Sequence, residues 1–186
     1  MSFIHLSDQI YLRAIQPEDH AVHFALMERI YPPAFEYLWP DAGVWYVDRV
    51  HREEALLKDL TAADAPYHHV YLFDELIGIF RLKLNAENPD FPGVPALKLD
   101  RVYLDDAVRG RGVGSVLIDY AKAETIRLGN KLLWLERMST NDATIGFYRK
   151  HGFEDGGQFR LPFELMYEKF RGMYRMAWQL PSVQQP

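Results

Sequence analysis

Between Asp105 and Ser115 the chain reads Asp-Asp-Ala-Val-Arg-Gly-Arg-Gly-Val-Gly-Ser, three glycines and two arginines between an apolar strand pattern and a helical one. The strand ends near Leu104. From about Gly112, residues Val113, Val116, Leu117, Tyr120, Ala121 and Leu128 share one arc at 100° per residue, with Glu124 among them, and Gly129-Asn130 supplies a stop. Such a strand, loop and helix start presents unpaired backbone N–H groups and the positive end of a helix dipole, which together bind anions. Glycines let the backbone approach a phosphate with no Cβ in the way. Arg109, Gly110, Arg111, Gly112, Val113, Gly114 and Ser115 are therefore candidates to hold a diphosphate.

Three phosphate-loop patterns compete for this stretch. A Walker loop needs Gly-x-x-x-x-Gly-Lys-Ser/Thr, and no lysine lies between Arg101 and Asp119. The dinucleotide pattern Gly-x-Gly-x-x-Gly ends on Ser115 when counted from Gly110 and on Leu117 when counted from Gly112. Arg/Gln-x-x-Gly-x-Gly/Ala remains, as Arg109-x-x-Gly112-x-Gly114. Downstream, Asn141, Ala143, Phe147-Tyr148 and Gly152-Phe153 resemble the second signature of the same family. With both motifs in this order, the chain resembles the GCN5-related N-acetyltransferases over most of residues 9 to 180. Leu99 to Leu104 and Trp134 look nearest the spermidine/spermine-type branch.

The resemblance implies acetyl-CoA as co-substrate, no metal, and an amine as acceptor in direct transfer within a ternary complex. The glycine loop would cradle the pyrophosphate. The backbone of Val102, Tyr103 and Leu104 would pair with the pantetheine amides as an added strand, and an N–H near Leu104 would meet the thioester carbonyl. Asn141 is a further pantetheine contact or a helix cap. Tyr148 would protonate the departing thiolate, since a phenol of reference pKa near 10 keeps its proton at pH 7. An alkylammonium near pKa 10.4 is neutral about once in a few thousand molecules at pH 7, so a base is needed. Asp100 is the first choice, with Glu36, Asp41, His68 and His69 as alternatives. His68 and His69 do not read as a metal pair, because adjacent strand residues point to opposite faces.

Residues 31–46 interleave Tyr31, Phe35, Tyr37, Trp39, Trp45 and Tyr46 with Glu36 and Asp41. They read either as a loop pinned to the core by its rings or as an aromatic, acidic rim for a cationic amine, with Glu36, Tyr37 and Asp41 as substrate contacts. Two other functions stay open. One is a nucleotide-binding oxidoreductase or sensor that holds a ribose through Glu136. The other is a catalytically silent module that only binds CoA.

The whole chain has 186 residues, 48% hydrophobic and 25% charged, the composition of one ordinary globular domain spanning 1–186. A formal charge of −5 argues against nucleic acid as a default partner. The chain has no cysteine, which removes disulfides, thiolate metal sites and a cysteine nucleophile. No apolar run reaches membrane length and the first residues lack a leader pattern, so a cytoplasmic protein with no membrane partner is expected. The aromatic stretch 159–170 is a candidate for a pocket or a homodimer contact.

The elements that must position these residues follow from periodicity. Strands are expected at 9–15, 67–73, 76–84, 96–104, 131–138, 157–161 and 174–180. Helices are expected from Pro17 to Tyr31, at 47–60, from Gly112 to Leu128 and at 143–151. The order predicts an α+β fold with a mixed, mainly antiparallel sheet flanked by helices. Strands 96–104 and 131–138 should be parallel across the central helix.

Overall fold

The alternating segments pair into one sheet in the computed structural model, which describes residues 3–140 and 142–181. Its strands are β1 (Phe3–His5), β2 (Ile10–Ala14), β3 (Tyr67–Leu72), β4 (Glu75–Lys83), β5 (Ala96–Leu104), β6 (Leu132–Met138), β7 (Glu154–Arg160) and β8 (Gly172–Gln179). They lie in the order β1-β2-β3-β4-β5-β6-β8-β7. Every neighbouring pair is antiparallel except β5 and β6, which are parallel. The helices are α1 (His20–Phe35), α2 (Val44–His51), α3 (Glu53–Leu60), α4 (Val113–Arg127) and α5 (Asp142–Lys150). This is the expected mixed α+β architecture.

Because side chains alternate across a strand, the sheet buries both faces. On one face Leu12, Val70, Phe80, Leu97, Leu133 and Met176 pack against Val113, Leu117, Ile118 and Ala121 of α4. Each such buried aliphatic side chain contributes about 1.5–3 kcal/mol. On the other face Tyr67 and Ile79 meet Leu26, Met27 and Ile30 of α1, Val47 of α2 and Leu56 of α3. Beyond β5 that face is covered by the loop 85–95, whose Ala86 carbonyl accepts from Trp134 Nε1 at 2.8 Å. Glu124, in the apolar arc of α4, is held by both Nε and Nη2 of Arg127.

Three local expectations needed correction. Helix α1 continues a further turn through Pro32 and Pro33 instead of ending there. Their ring-fixed φ suits a helix, and the Glu36 N–H still bonds the Pro32 carbonyl, so only the last turn loses ladder bonds. The single helix expected over 47–60 is two helices, broken where Arg52 is extended (φ −61°, ψ 164°). Strand β1 carried no usable alternation in its three residues and is held by pairing with β2.

Candidate active site

The parallel pairing of β5 with β6 stops early. It joins Ala96–Leu99 to Leu132–Leu135, after which β5 stays with β4 and β6 with β8. A bulge sits at this point: Arg81 pairs with Arg101 and Leu82 with Leu99, leaving Asp100 as the extra residue. Past the bulge the Asp105 N–H donates to the Ile77 carbonyl (2.8 Å). Because an antiparallel ladder alternates, Tyr103 also turns its backbone to β4, and Val102 and Leu104 turn theirs toward the gap. Two backbone units are thus offered to an extended chain entering between the strands. The Val102 and Leu104 side chains pack on the α4 side, and Tyr103 points to the opposite side among the α1 and α2 aromatics.

The chain then runs directly into the glycine loop. Gly110 and Gly112 take φ of +77° and +81°, and a Cβ built on either meets nothing within 4 Å. Gly112 is the N-cap of α4 and supplies no side-chain cap. Among the described residues, no partner meets the N–H groups of Val113, Gly114 and Ser115. These free donors, the helix dipole and the open space before them fit an anion. Arg109 is exposed and pairs with Asp106, which cancels part of its charge. Arg111 is exposed.

Helix α5 lies against the start of α4. A Cβ on Gly114 would stand 3.2 Å from Cζ of Phe147, so this glycine lets the helices approach. Tyr148 follows, packed on Phe147 (5.3 Å between ring centroids) and Phe153 (5.6 Å). Its hydroxyl makes no hydrogen bond among the described residues. Burial pushes the phenol up to about 12, so it is protonated at neutral pH. Asn141 lies outside the described residues.

The expected base, Asp100, is held by cations. Its carboxylate lies 2.8 Å from Lys83, 3.5 Å from Arg81 and 3.8 Å from Lys98. Burial pushes its pKa up, but the Lys83 hydrogen bond and the charges of Lys83, Arg101 and Lys98 outweigh this and hold it below the usual range. That setting suits a structural anion at the bulge better than a proton acceptor. Glu136, unassigned to this chemistry in the sequence, is the first β6 residue beyond the parallel pairing. It shares a face with Trp134 and Met138, its side chain is 30% exposed, and its cation partner is Lys98 at 2.8 Å. Knowing that Glu136 borders the gap requires the register of β5 against β6, which the sequence alone does not contain.

The other acceptor-side candidates divide. Asp41 accepts from the Gly43 and Trp45 N–H groups and so starts α2. Glu36 and Tyr37 are exposed, with Tyr37 edge-on to Phe170 (5.1 Å). Tyr31 and Trp39 are buried and bond to each other, Trp39 Nε1 donating to the Tyr31 hydroxyl at 2.9 Å. The rings of 31–46 are therefore pinned to the core, but the stretch is not the loop expected: 31–35 end α1, 36–38 form one short helical turn and 44–46 open α2. Phe163, Met166 and Phe170 of the 159–170 stretch also pack into this cluster. His68 and His69 are buried on opposite faces of β3, two strands away from the gap. His69 lies beside Arg13 and His23.

A sequence profile described as the Acetyltransferase (GNAT) family matches residues 24–153. A Bacillus subtilis protein named "Putative phosphinothricin acetyltransferase YwnH" is 36% identical over 58 residues, which cover 31% of this chain and 36% of that protein. An uncharacterised N-acetyltransferase of Lactobacillus delbrueckii subsp. lactis is 20% identical over 113 residues, 61% of this chain and 65% of its own length. The chain thus spans less than two thirds of either curated relative. Among solved structures, PaiA N-acetyltransferase of Thermoplasma acidophilum in complex with coenzyme A superposes with a TM-score of 0.70 at 17% identity, covering 92% of this chain and 99% of that one. RimL, a ribosomal L7/L12 alpha-N-protein acetyltransferase in complex with coenzyme A, gives 0.72 at 16% identity, covering 96% and 98%. With most of the sequence matched by the profile and the fold shared nearly end to end, the chain belongs to the GNAT family of acetyltransferases.

Proposed function

We propose that this protein is an N-acetyltransferase that uses acetyl-CoA to acetylate a primary amine, with a small cationic amine as the preferred acceptor. One observation carries the reading: β5 parts from β6 and then runs into the glycine loop and the α4 N–H groups that have no partner among the described residues, so an extended, amide-bearing chain and its diphosphate have successive places. Acetyl-CoA, when bound, supplies an activated acetyl thioester. Val102 and Leu104 would pair with its amide-bearing arm, and Gly110, Gly112 and the N–H groups of Val113, Gly114 and Ser115 would hold its diphosphate. Asn141 is retained as a further contact by family resemblance.

The remaining steps belong to side chains of this protein. Tyr148, whose hydroxyl has no partner among the described residues, would deliver a proton to the leaving sulfur. Glu136 would take the ammonium proton at the gap, and Asp100 would hold the bulge through Lys83 and Arg81. Exposed Glu36 and Tyr37 support a cationic acceptor, since carboxylates and ring faces both attract ammonium groups. Thermal shift with CoA against NAD, followed by thiol release across polyamines, amino acids, aminoglycosides and peptides, tests this function. A shift with NAD and none with CoA overturns it. Turnover confined to peptides or anionic amines overturns the acceptor class alone.

A further inference from the structure

The turn that follows α5 is tied to the first turn of α4. His151 Nε2 lies 3.1 Å from Ser115 Oγ, and the His151 carbonyl accepts from Lys122 Nζ at 2.6 Å. The His151 ring also packs on Phe147, with centroids 4.7 Å apart, and Phe147 itself touches Gly114. Ser115 is thus both a donor at the anion-binding turn and the anchor of the helix that carries Tyr148. A neutral imidazole offers one N–H and one lone pair, so either tautomer of His151 can bond the serine hydroxyl.

We propose that the Ser115–His151 hydrogen bond is a positioning link that sets Tyr148 against the acyl donor held by the same turn of α4. This inference rests on the function proposed above. Tyr148 is three residues before His151, so a shift of the α5 end moves the phenol with it. Without the link, the diphosphate keeps its backbone donors while the acid loses its alignment. The loss should therefore fall on kcat more than on the affinity for CoA.

The test is a set of substitutions, Ser115→Ala, His151→Ala, His151→Gln and the double alanine variant, each made also in the Tyr148→Phe background. With Tyr148 intact, each alanine change should lower kcat about tenfold, the scale of a modest misplacement of a reacting group. CoA affinity by calorimetry should change less than threefold, about 0.7 kcal/mol at 1.4 kcal/mol per tenfold. The double variant should be no worse than either single one, and His151→Gln, whose amide can still bond the serine, should recover most of the rate. In the Tyr148→Phe background the same changes should leave kcat within about twofold, because the acid they align is already gone. Equal losses in both backgrounds, independent losses that multiply, or unchanged kcat in folded variants would overturn the link. Unchanged kcat in Tyr148→Phe alone overturns the acid assignment and the link with it. If His151→Ala does not fold, Ser115→Ala carries the same comparison.

Discussion

Gly114 and Phe147 meet across the α4–α5 junction, with the phenylalanine ring 3.2 Å from where a Cβ on the glycine would stand. Alanine gains up to about 1 kcal/mol over glycine inside a helix and less in a first turn such as this one, and here the ring must give by a few tenths of an ångström. The two effects oppose each other, so Gly114→Ala should leave the melting temperature nearly unchanged. Its cost should appear in turnover, because displacing Phe147 displaces Tyr148 beside it. A melting curve and steady-state kinetics on this variant separate the terms. A clear loss of stability with normal kcat would contradict the account.

Gly112 differs from Gly114 in its reason for being glycine. Nothing crowds it, but its φ of +81° disfavours any side chain, and a β-branched one most. Gly112→Val should cost about 1–3 kcal/mol from backbone strain. It should also remove the thermal shift given by CoA, because a side chain then occupies the space before the α4 donors. Wild-type protein should shift with CoA and not with NAD, FAD or ATP. A normal CoA shift in the valine variant would move the diphosphate away from this turn.

The fold was legible where periodicity and punctuation agree. The alternation of β3 to β5, the arc of α4 and its Gly129-Asn130 stop located most of the sheet and the central helix. The break at Arg52 was not legible, because the apolar spacing of 47–60 continues across it. In the candidate site, local sequence singled out the loop and Tyr148, because both are read from motif spacing along the chain. Asp100 and Glu136 could be sorted only by strand register. One carboxylate falls on a bulge ringed by lysines and arginine, and the other falls at the edge of the gap.

Tyr148→Phe keeps the ring and its contacts with Phe147 and Phe153 and removes only the hydroxyl, with the proton it could donate. Because the hydroxyl has no partner among the described residues, stability should change by less than about 1 kcal/mol. CoA binding should be nearly constant, and kcat should fall by about two orders of magnitude, the usual worth of a positioned acid. Stopped turnover assays with calorimetry on one preparation check all three. Unchanged kcat would remove the phenol from the mechanism.

Buried histidines give the protein a defined acid sensitivity. Burial holds His23 down to about 3, and His68 and His69 to about 4, against an ordinary 6.5; His51 is also lowered well below 6.5. Between these values the unfolded chain binds more protons than the folded one, so stability rises with pH in that window. The contribution is complete only about one unit above pH 6.5 and is lost as pH falls toward 4, by about 1.6 kcal/mol for each of His68 and His69 between pH 6.5 and pH 5. Asp19, Asp90 and Asp155 have lowered pKa values and add their own loss only below the ordinary carboxylate range. Urea midpoints between pH 8 and pH 4.5 should fall steeply below pH 6.5, and His69→Gln should flatten that slope. A flat profile across the window would contradict neutral burial.

Glu136 and Asp100 lie on adjoining strands and should respond in opposite ways to loss of charge. If Glu136 takes the ammonium proton, Glu136→Gln should lower kcat/KM at pH 7 by about a hundredfold. The deficit should shrink as pH rises toward the pKa of the acceptor, where the free amine no longer needs a base. Stability should change little, since Glu136 is partly exposed and Lys98, which it pairs with, retains Asp100 nearby. Asp100→Asn removes the charge that faces Lys83, Arg81 and Lys98, and leaves buried Arg81 with Asp59 as its remaining carboxylate. That change should cost up to about 3 kcal/mol, less than a fully buried pair because Lys83 is 42% exposed. Its turnover, measured on folded protein, should stay within a few-fold of wild type. A pH-dependent loss of kcat in Asp100→Asn, with Glu136→Gln unaffected, would return the base to the bulge.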